Sequence, residues 1–138
     1  PESQLLTQVF GVGKLTAMAY LLTIEDQDRF RRSRTAGAYF GLVPRRDQSG
    51  AVEKQLSITK AGDRMVRTLL VQCAQRILAK NAPDSDLRRA GERIAGTGGP
   101  AAKRRAVIAV ARKLAVLLHA LWRTGEVYEP MKNQAQMA

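Results

Sequence analysis

The chain has 138 residues, 45% of them hydrophobic, which is enough for one domain with its own core and excludes a disordered tail. Lysine and arginine number 23 against 12 aspartates and glutamates, and the formal net charge of +11 favours a polyanionic partner, with nucleic acid first. No apolar run approaches the roughly 20 residues of a membrane span, and the single cysteine fits a reducing cytoplasm. Because the chain begins at Pro1 without an initiator Met, we expect a piece of a longer protein.

The N-terminal part of the chain is predicted to contain short helices. Helical periodicity covers residues 3–8 and 14–23, with a glycine-containing break between them. An acidic loop over residues 25–28 follows, and Ser33 can cap a helix over residues 34–40. In the helix over residues 14–23, the apolar residues at helical spacing are Leu15, Met18, Ala19 and Leu22.

The middle of the chain is predicted to be a loop followed by a longer helix. The loop covers residues 41–60 and can include a short strand or β-hairpin at residues 52–58. A helix is predicted over residues 63–80, and Asp84 or Ser85 can cap a further helix that runs through residue 94. The apolar stripe of the helix over residues 63–80 consists of Val66, Leu69, Leu70, Cys73 and Ile77, with Leu78 at its flank.

The longest helix is predicted near the C-terminus, over residues 101–123, after a glycine-rich break at residues 96–100. Gly125 stands where a C-terminal cap belongs, and residues 131–138 are expected to be a disordered tail. The predicted buried stripe of this helix consists of Val107, Val110, Ala111, Leu114, Leu117, Leu118 and Leu121, with Trp122 at its flank.

A helix-hairpin-helix pattern occupies about residues 3–24, where a Gly-apolar-Gly turn joins the first two helices. Glycines let the backbone approach a DNA phosphate closely, and the second helix offers free N–H groups and a positive dipole end. Such binding contacts the DNA backbone and not the bases. The alternative is a plain helical hairpin whose glycines only make the turn. The pattern predicts DNA contacts by Gly11, Gly13 and Lys14.

A Ser-Gly step, Ser49-Gly50, lies inside a basic loop that follows a helix-ending glycine and proline. A serine on such a loop can act as a nucleophile, and guanidinium groups bind phosphoryl oxygens through paired hydrogen bonds. The alternative is a turn within a solvated charged surface. The basic residues predicted to share the stabilisation of phosphoryl charge are Arg45, Arg46, Lys54, Lys60, Arg64 and Arg67.

The other conspicuous residues favour structural roles. His119, the only histidine, has no metal-ligand partner and is predicted at the surface or rim of the last helix. Cys73 is predicted to be inert core, and Trp122 core or interface. The basic residues 103–105 either contact DNA or form a solvated charge run. The carboxylates show no spacing typical of a metal site, so none is predicted in this chain.

Several motifs occur together along the chain in a family-specific order. They are the hairpin at residues 10–13, the Ala-Tyr-Phe-Gly-Leu-Val-Pro run at residues 38–44, Ser49-Gly50, the Ile-Thr-Lys-Ala-Gly-Asp-Arg segment at residues 58–64, residues 106–114, Leu121-Trp122, and Tyr-Glu-Pro at residues 128–130. Over residues 5–130 the chain resembles the C-terminal transposase domain of the DEDD-type insertion-sequence transposases. This is the insertion sequence one-hundred-ten family of bridge-RNA-guided serine recombinases.

The resemblance implies partners that composition does not show. Family members have an N-terminal RuvC-like domain that carries the DEDD carboxylates and Mg²⁺, and we expect that domain to be absent from this chain. The expected partners are double-stranded donor and target DNA, a bridge RNA, the RuvC-like domain and further copies of the protein, as a dimer or tetramer. No cofactor is expected in this domain, no membrane is involved, and the expected location is the bacterial cytoplasm, at the nucleoid.

The resemblance also implies a serine that attacks DNA and forms a covalent phosphoserine link. Ser49 matches on position, and Ser57, in the same basic segment, is the alternative. Gln48 replaces a serine that is frequent in the family, Ala51 replaces a glycine, and Asp63 stands where asparagine is also common.

The sequence therefore predicts a mainly α domain over residues 1–130. A helix-hairpin-helix is followed by a basic loop region and two long packed helices. The predicted function is that of a DNA transposase or serine recombinase domain, inactive without its RuvC-like domain. The alternative is a non-catalytic DNA-binding module.

Overall fold

The computed structural model describes residues 2–33, 35–42 and 61–132, and these ranges fold as packed helices. No strand occurs within them, which confirms the mainly α class. The predicted strand at residues 52–58 and the predicted tail from residue 133 onward lie outside the described residues. The elements are α1 Glu2–Leu6, α2 Lys14–Ile24, a 3₁₀ turn Gln27–Arg29, α3 Thr35–Tyr39, α4 Ala61–Ile77, α5 Asp86–Ala95 and α6 Pro100–Thr124.

Local sequence signals set the ends of the last two helices. The Ser85 hydroxyl accepts a hydrogen bond from the backbone N–H of Arg88 at 3.0 Å and so caps α5, as one of the two predicted alternatives. Pro100 opens α6, where a missing N–H costs nothing. Gly125 ends α6 in the left-handed conformation, with a φ of 70°. The predicted ends of both helices are therefore confirmed to within a residue or two.

The helix α6 is the centre of the core, and α1, α3, α4 and α5 all contact it. The Tyr20 hydroxyl on α2 donates a 2.6 Å hydrogen bond to the carbonyl of Ala115, which ties the N-terminal part to this helix. A β-carbon at Gly91 of α5 would lie 2.6 Å from Leu78 and 2.7 Å from Val110, so glycine permits the close approach of the helices there. The predicted stripes on α4 and α6 are largely buried, with Val66, Leu70, Cys73, Ile77, Val110, Leu114, Leu118 and Leu121 in the core.

His119 lies in the core, so the prediction of a surface or rim position is wrong. Its side chain has no solvent exposure and packs edge-on to the rings of Phe30 and Trp122. Nε2 lies 2.7 Å from the carbonyl oxygen of Gln27, an acceptor only, so Nε2 donates to it. The other nitrogen, Nδ1, then accepts from the Ser33 hydroxyl at 2.9 Å. Because both ring nitrogens have hydrogen-bond partners, burial of the imidazole leaves neither of them unsatisfied.

The apolar spacing chosen for α2 does not mark its buried face. Of its four predicted residues only Ala19 is buried, whereas Leu15 and Leu22 are each 69% exposed and Met18 is 41% exposed. The opposite side of the helix enters the core, through residues such as Ala17, Tyr20 and Ile24. Because α2 is apolar on nearly all sides, periodicity alone could not select the face that packs.

Cys73 is fully buried on α4, as predicted, and burial raises the pKa of its thiol. Since only the exposed thiolate reacts, we expect a disulfide reagent to modify Cys73 at least about 1,000-fold more slowly in the folded protein than in denaturant. Colorimetric thiol titration with and without guanidinium chloride measures this ratio. Comparable rates in the two conditions would contradict the burial of Cys73.

Candidate nucleic-acid interface

The turn between α1 and α2 packs its first glycine inward. Gly11 has a φ of 91°, and a β-carbon there would lie 3.2 Å from the carbonyl oxygen of Cys73. The Arg76 guanidinium donates a 2.8 Å hydrogen bond to the Gly11 carbonyl. Gly11 thus serves the packing of the turn on α4, whatever else the turn does.

The second glycine of the turn faces open space. No atom lies within 4 Å of the position of a β-carbon on Gly13. Gly13 caps α2 in an extended conformation, without a side-chain hydrogen bond, and the first turn of α2 contains no acidic residue. Lys14 is exposed beside it. This end of α2 therefore combines an open backbone, a positive dipole end and a cation, which together suit an approaching phosphate.

A second basic region lies where the described chain breaks off. A β-carbon on Gly41, next to the last described residue before the gap, would lie 3.0 Å from the guanidinium of Arg67. Arg67 lies on α4, the helix with which the described chain resumes, and Arg64 is exposed one turn earlier. The other predicted site residues lie outside the described residues: Arg45, Arg46, Ser49, Lys54, Ser57 and Lys60.

A buried carboxylate, that of Asp63, lies beside this second basic region. The sequence alone does not indicate a functional role for it. Asp63, in the first turn of α4, is 6% exposed. Tyr39 accepts a 2.6 Å hydrogen bond from Arg29. Partial burial, and then the negative charge of Asp63, raise the pKa of the Tyr39 hydroxyl, which is hydrogen-bonded to that carboxylate. Within the described ranges no donor reaches the Oδ1 atom of Asp63.

The helix α4 spaces the two regions from each other. Arg76, which binds the Gly11 carbonyl, and Arg67, beside Gly41, are nine positions apart on this helix. At 1.5 Å per residue this is about 14 Å along the helix axis, and nine positions are two and a half turns, so the two arginines leave α4 on opposite faces. The two regions therefore lie on different sides of α4.

Neither a cluster of metal ligands nor a membrane-spanning helix occurs among the described residues. No group of three or more His, Cys, Asp or Glu side chains within residues 2–33, 35–42 and 61–132 could hold a metal ion. In the same ranges, no helix is long and apolar enough to cross a membrane.

Comparison with known proteins defines the class to which this hairpin and basic helical domain belong. A sequence-family model described as "Transposase IS116/IS110/IS902 family" matches residues 3–90. That range includes the hairpin, Ser49 and all of α4. The chain therefore belongs to this transposase family.

Individual relatives extend the similarity over nearly the whole chain. The "Transposase for insertion sequence element IS1111A" of Coxiella burnetii is 36% identical over 129 residues, which cover 92% of this chain and 34% of the relative. The "Putative transposase y4pF/y4sB" of Sinorhizobium fredii is 33% identical over 135 residues, which cover 97% of this chain and 34% of the relative. The chain thus spans about a third of the length of these relatives. No solved structure matches it.

Proposed function

We propose that this domain binds DNA and supplies the serine nucleophile for strand cleavage and exchange in a transposase of this family. The observation that carries the proposal is the family match, which spans the hairpin and the basic segment around Ser49. The whole relatives are named as transposases, and DNA is the substrate that the name implies. The net charge of +11 supports a nucleic-acid partner independently.

DNA binding is proposed at the two basic regions described above. At the open end of α2, the backbone of Gly13 and the ammonium group of Lys14 contact one phosphate, while Gly11 shapes the turn from behind. Arg64 and Arg67 on α4 are proposed to contact the DNA backbone at a second point, on the other side of this helix. Such contacts position the DNA without reading its sequence.

The proposed reaction is a transesterification. The Ser49 Oγ forms a bond to a phosphorus atom of DNA, while the bond from that phosphorus to a sugar oxygen breaks, and this oxygen takes up a proton from the solvent to become a free hydroxyl. The serine proton passes to an acceptor that we place on another domain, most simply a carboxylate. The cations proposed to stabilise charge on the phosphoryl oxygens are Arg45, Arg46, Lys54, Lys60, Arg64 and Arg67.

Further partners belong to the same proposal. The relatives are about three times as long as the aligned chain, which leaves room for an N-terminal RuvC-like domain. That domain is proposed to hold Mg²⁺, as the resemblance to the DEDD-type transposases implies. Bridge RNA and a dimer or tetramer complete the proposed assembly. This domain by itself is expected to be inactive.

The test is an adduct assay with the complete transposase, its RNA, and donor and target DNA. Unchanged protein, Ser49→Ala and Ser57→Ala are compared after denaturation, by the mobility of a protein–DNA adduct on a gel. We expect Ser49→Ala to abolish the adduct and to leave DNA binding intact, because it removes only the attacking oxygen. Ser57→Ala is the matched control and should retain the adduct.

Two results would contradict the assignment. Loss of the adduct with Ser57→Ala alone would move the nucleophile to that residue within the same mechanism. An adduct that persists in both variants, or never forms, would leave the domain as a DNA-binding module. Such a module would show steeply salt-dependent binding and no dependence on either serine.

A further inference from the structure

Four cationic residues lie on either side of the connection between α5 and α6. Arg93 lies in the last turn of α5, and Lys103, Arg104 and Arg105 lie in the first two turns of α6. A β-carbon on Gly98 would lie 2.6 Å from Ala102, so the connection is tight and keeps the two helix ends adjacent. All four cationic residues are exposed. We call these four residues the α5–α6 cluster.

No carboxylate is available to neutralise the α5–α6 cluster from nearby in the sequence. Residues 93–125 contain no aspartate or glutamate. The adjacent Glu92 pairs with Arg88, with 3.3 Å between nitrogen and oxygen. Within the described ranges, no ion pair involves a residue of the cluster.

Two other arginines of α5, Arg88 and Arg89, form contacts within the domain. Arg89 forms a forked pair with Asp84, at 2.7 Å for the shortest contact. Arg88 donates to the carbonyls of Ile77 and Ala79, which anchors α5 to the end of α4. Folding thus uses these two guanidinium groups. Within the described residues the α5–α6 cluster forms no equivalent ion pair, so its charge is not used to hold the helices together.

We propose that the α5–α6 cluster is a second binding surface for a nucleic-acid backbone, separate from the α1–α2 turn and α4. This second proposal rests on the proposed nucleic-acid-binding function of the domain. Grouped guanidinium groups bind phosphate through paired hydrogen bonds. Residues 93–108 contain no aromatic side chain on which a base could stack. The ligand is therefore the phosphodiester backbone of a duplex or a folded RNA, bound without base contacts.

The chain offers a matched control at the far end of α6. Arg31 and Arg32 are also adjacent and exposed. The Arg123 guanidinium donates to the Arg31 carbonyl at 3.3 Å, which places this pair beside the C-terminal end of α6. Arg123 lies 18 positions beyond Arg105, or about 27 Å along the helix. The double changes R104Q/R105Q and R31Q/R32Q remove the same charge at opposite ends of α6.

The experiment measures binding of the 138-residue chain to two labelled probes, a 30-base-pair duplex DNA and an RNA hairpin, by fluorescence anisotropy over a salt series. We expect R104Q/R105Q to raise Kd about tenfold or more at 0.1 M salt and to lower the salt slope by about 2. The change R31Q/R32Q should weaken binding much less. Glutamine is a good helix former, which suits positions 104 and 105, and Arg31 and Arg32 are exposed outside the helices, so thermal melting should show both variants folded.

The two probes and the control separate the possible results. Loss of affinity for both probes supports a general backbone site, and loss for one probe alone identifies the nucleic acid that the cluster binds. Equal losses in the two double variants would overturn the inference, because net charge alone would then explain them. If the unchanged chain bound neither probe, the proposed DNA-binding function of the isolated domain would fail as well.

Discussion

Replacement of His119 by alanine is expected to cause the largest loss of stability, a decrease of about 3–5 kcal/mol in the free energy of unfolding. The side chain is fully buried between Phe30 and Trp122, so its removal leaves a cavity in the core. It also leaves the carbonyl of Gln27 and the hydroxyl of Ser33 without their partner. Urea denaturation followed by circular dichroism measures the difference.

Ser33→Ala is the matched control for His119→Ala, because it removes one hydrogen bond and leaves the ring in place. We expect it to lower the free energy of unfolding by about 1 kcal/mol. A His119→Ala protein as stable as the Ser33→Ala protein would show that His119 is not buried in solution.

The second prediction separates the two glycines of the α1–α2 turn. Gly11→Ala should lower the free energy of unfolding by about 2–3 kcal/mol, because its φ of 91° disfavours an L side chain and the new β-carbon crowds the Cys73 carbonyl. Gly13→Ala should lower it by no more than about 1 kcal/mol, since the extended backbone and open surroundings accept a methyl group and only the preference of an N-cap for glycine over alanine is lost.

For DNA affinity we expect a different pattern from these glycine changes. A methyl group on Gly13 obstructs the proposed approach of a phosphate to the end of α2, so Gly13→Ala should raise Kd for duplex DNA about fivefold, the equivalent of one hydrogen bond. The measurement is a titration of labelled duplex with a folded variant, checked by thermal melting. Unchanged affinity would remove the α2 end from the proposed interface.

Much of the fold could be predicted from the sequence, because α4, α5 and α6 carry strong local signals. The stripe on α6 repeats over many turns, and Ser85, Pro100 and Gly125 mark helix ends by well-understood chemistry. The errors arose where local pattern carries no directional information. The helix α2 is apolar on nearly all sides, and a histidine within an apolar stripe gives no sign of distant partners such as Ser33.

Less of the candidate site could be predicted. The Gly-Val-Gly turn was recognisable, but its two glycines look equivalent in the sequence, and only the packing against α4 distinguishes Gly11 from Gly13. The group formed by Arg29, Tyr39 and Asp63 joins residues from three separate elements, and no local spacing connects them. Its one sequence signal was the acidic residue at the start of α4, directly after the basic segment.

The central position of α6 has a consequence for how the chain reaches its native state. Tyr20 binds Ala115, and Ser33 binds His119, so partners 95 and 86 residues apart hold the N-terminal helices in place. During synthesis those helices leave the ribosome long before α6 exists, and contacts of such long sequence separation form slowly. The α1–α2 turn, the proposed DNA contact, therefore becomes fixed in place only after nearly the entire domain has been translated.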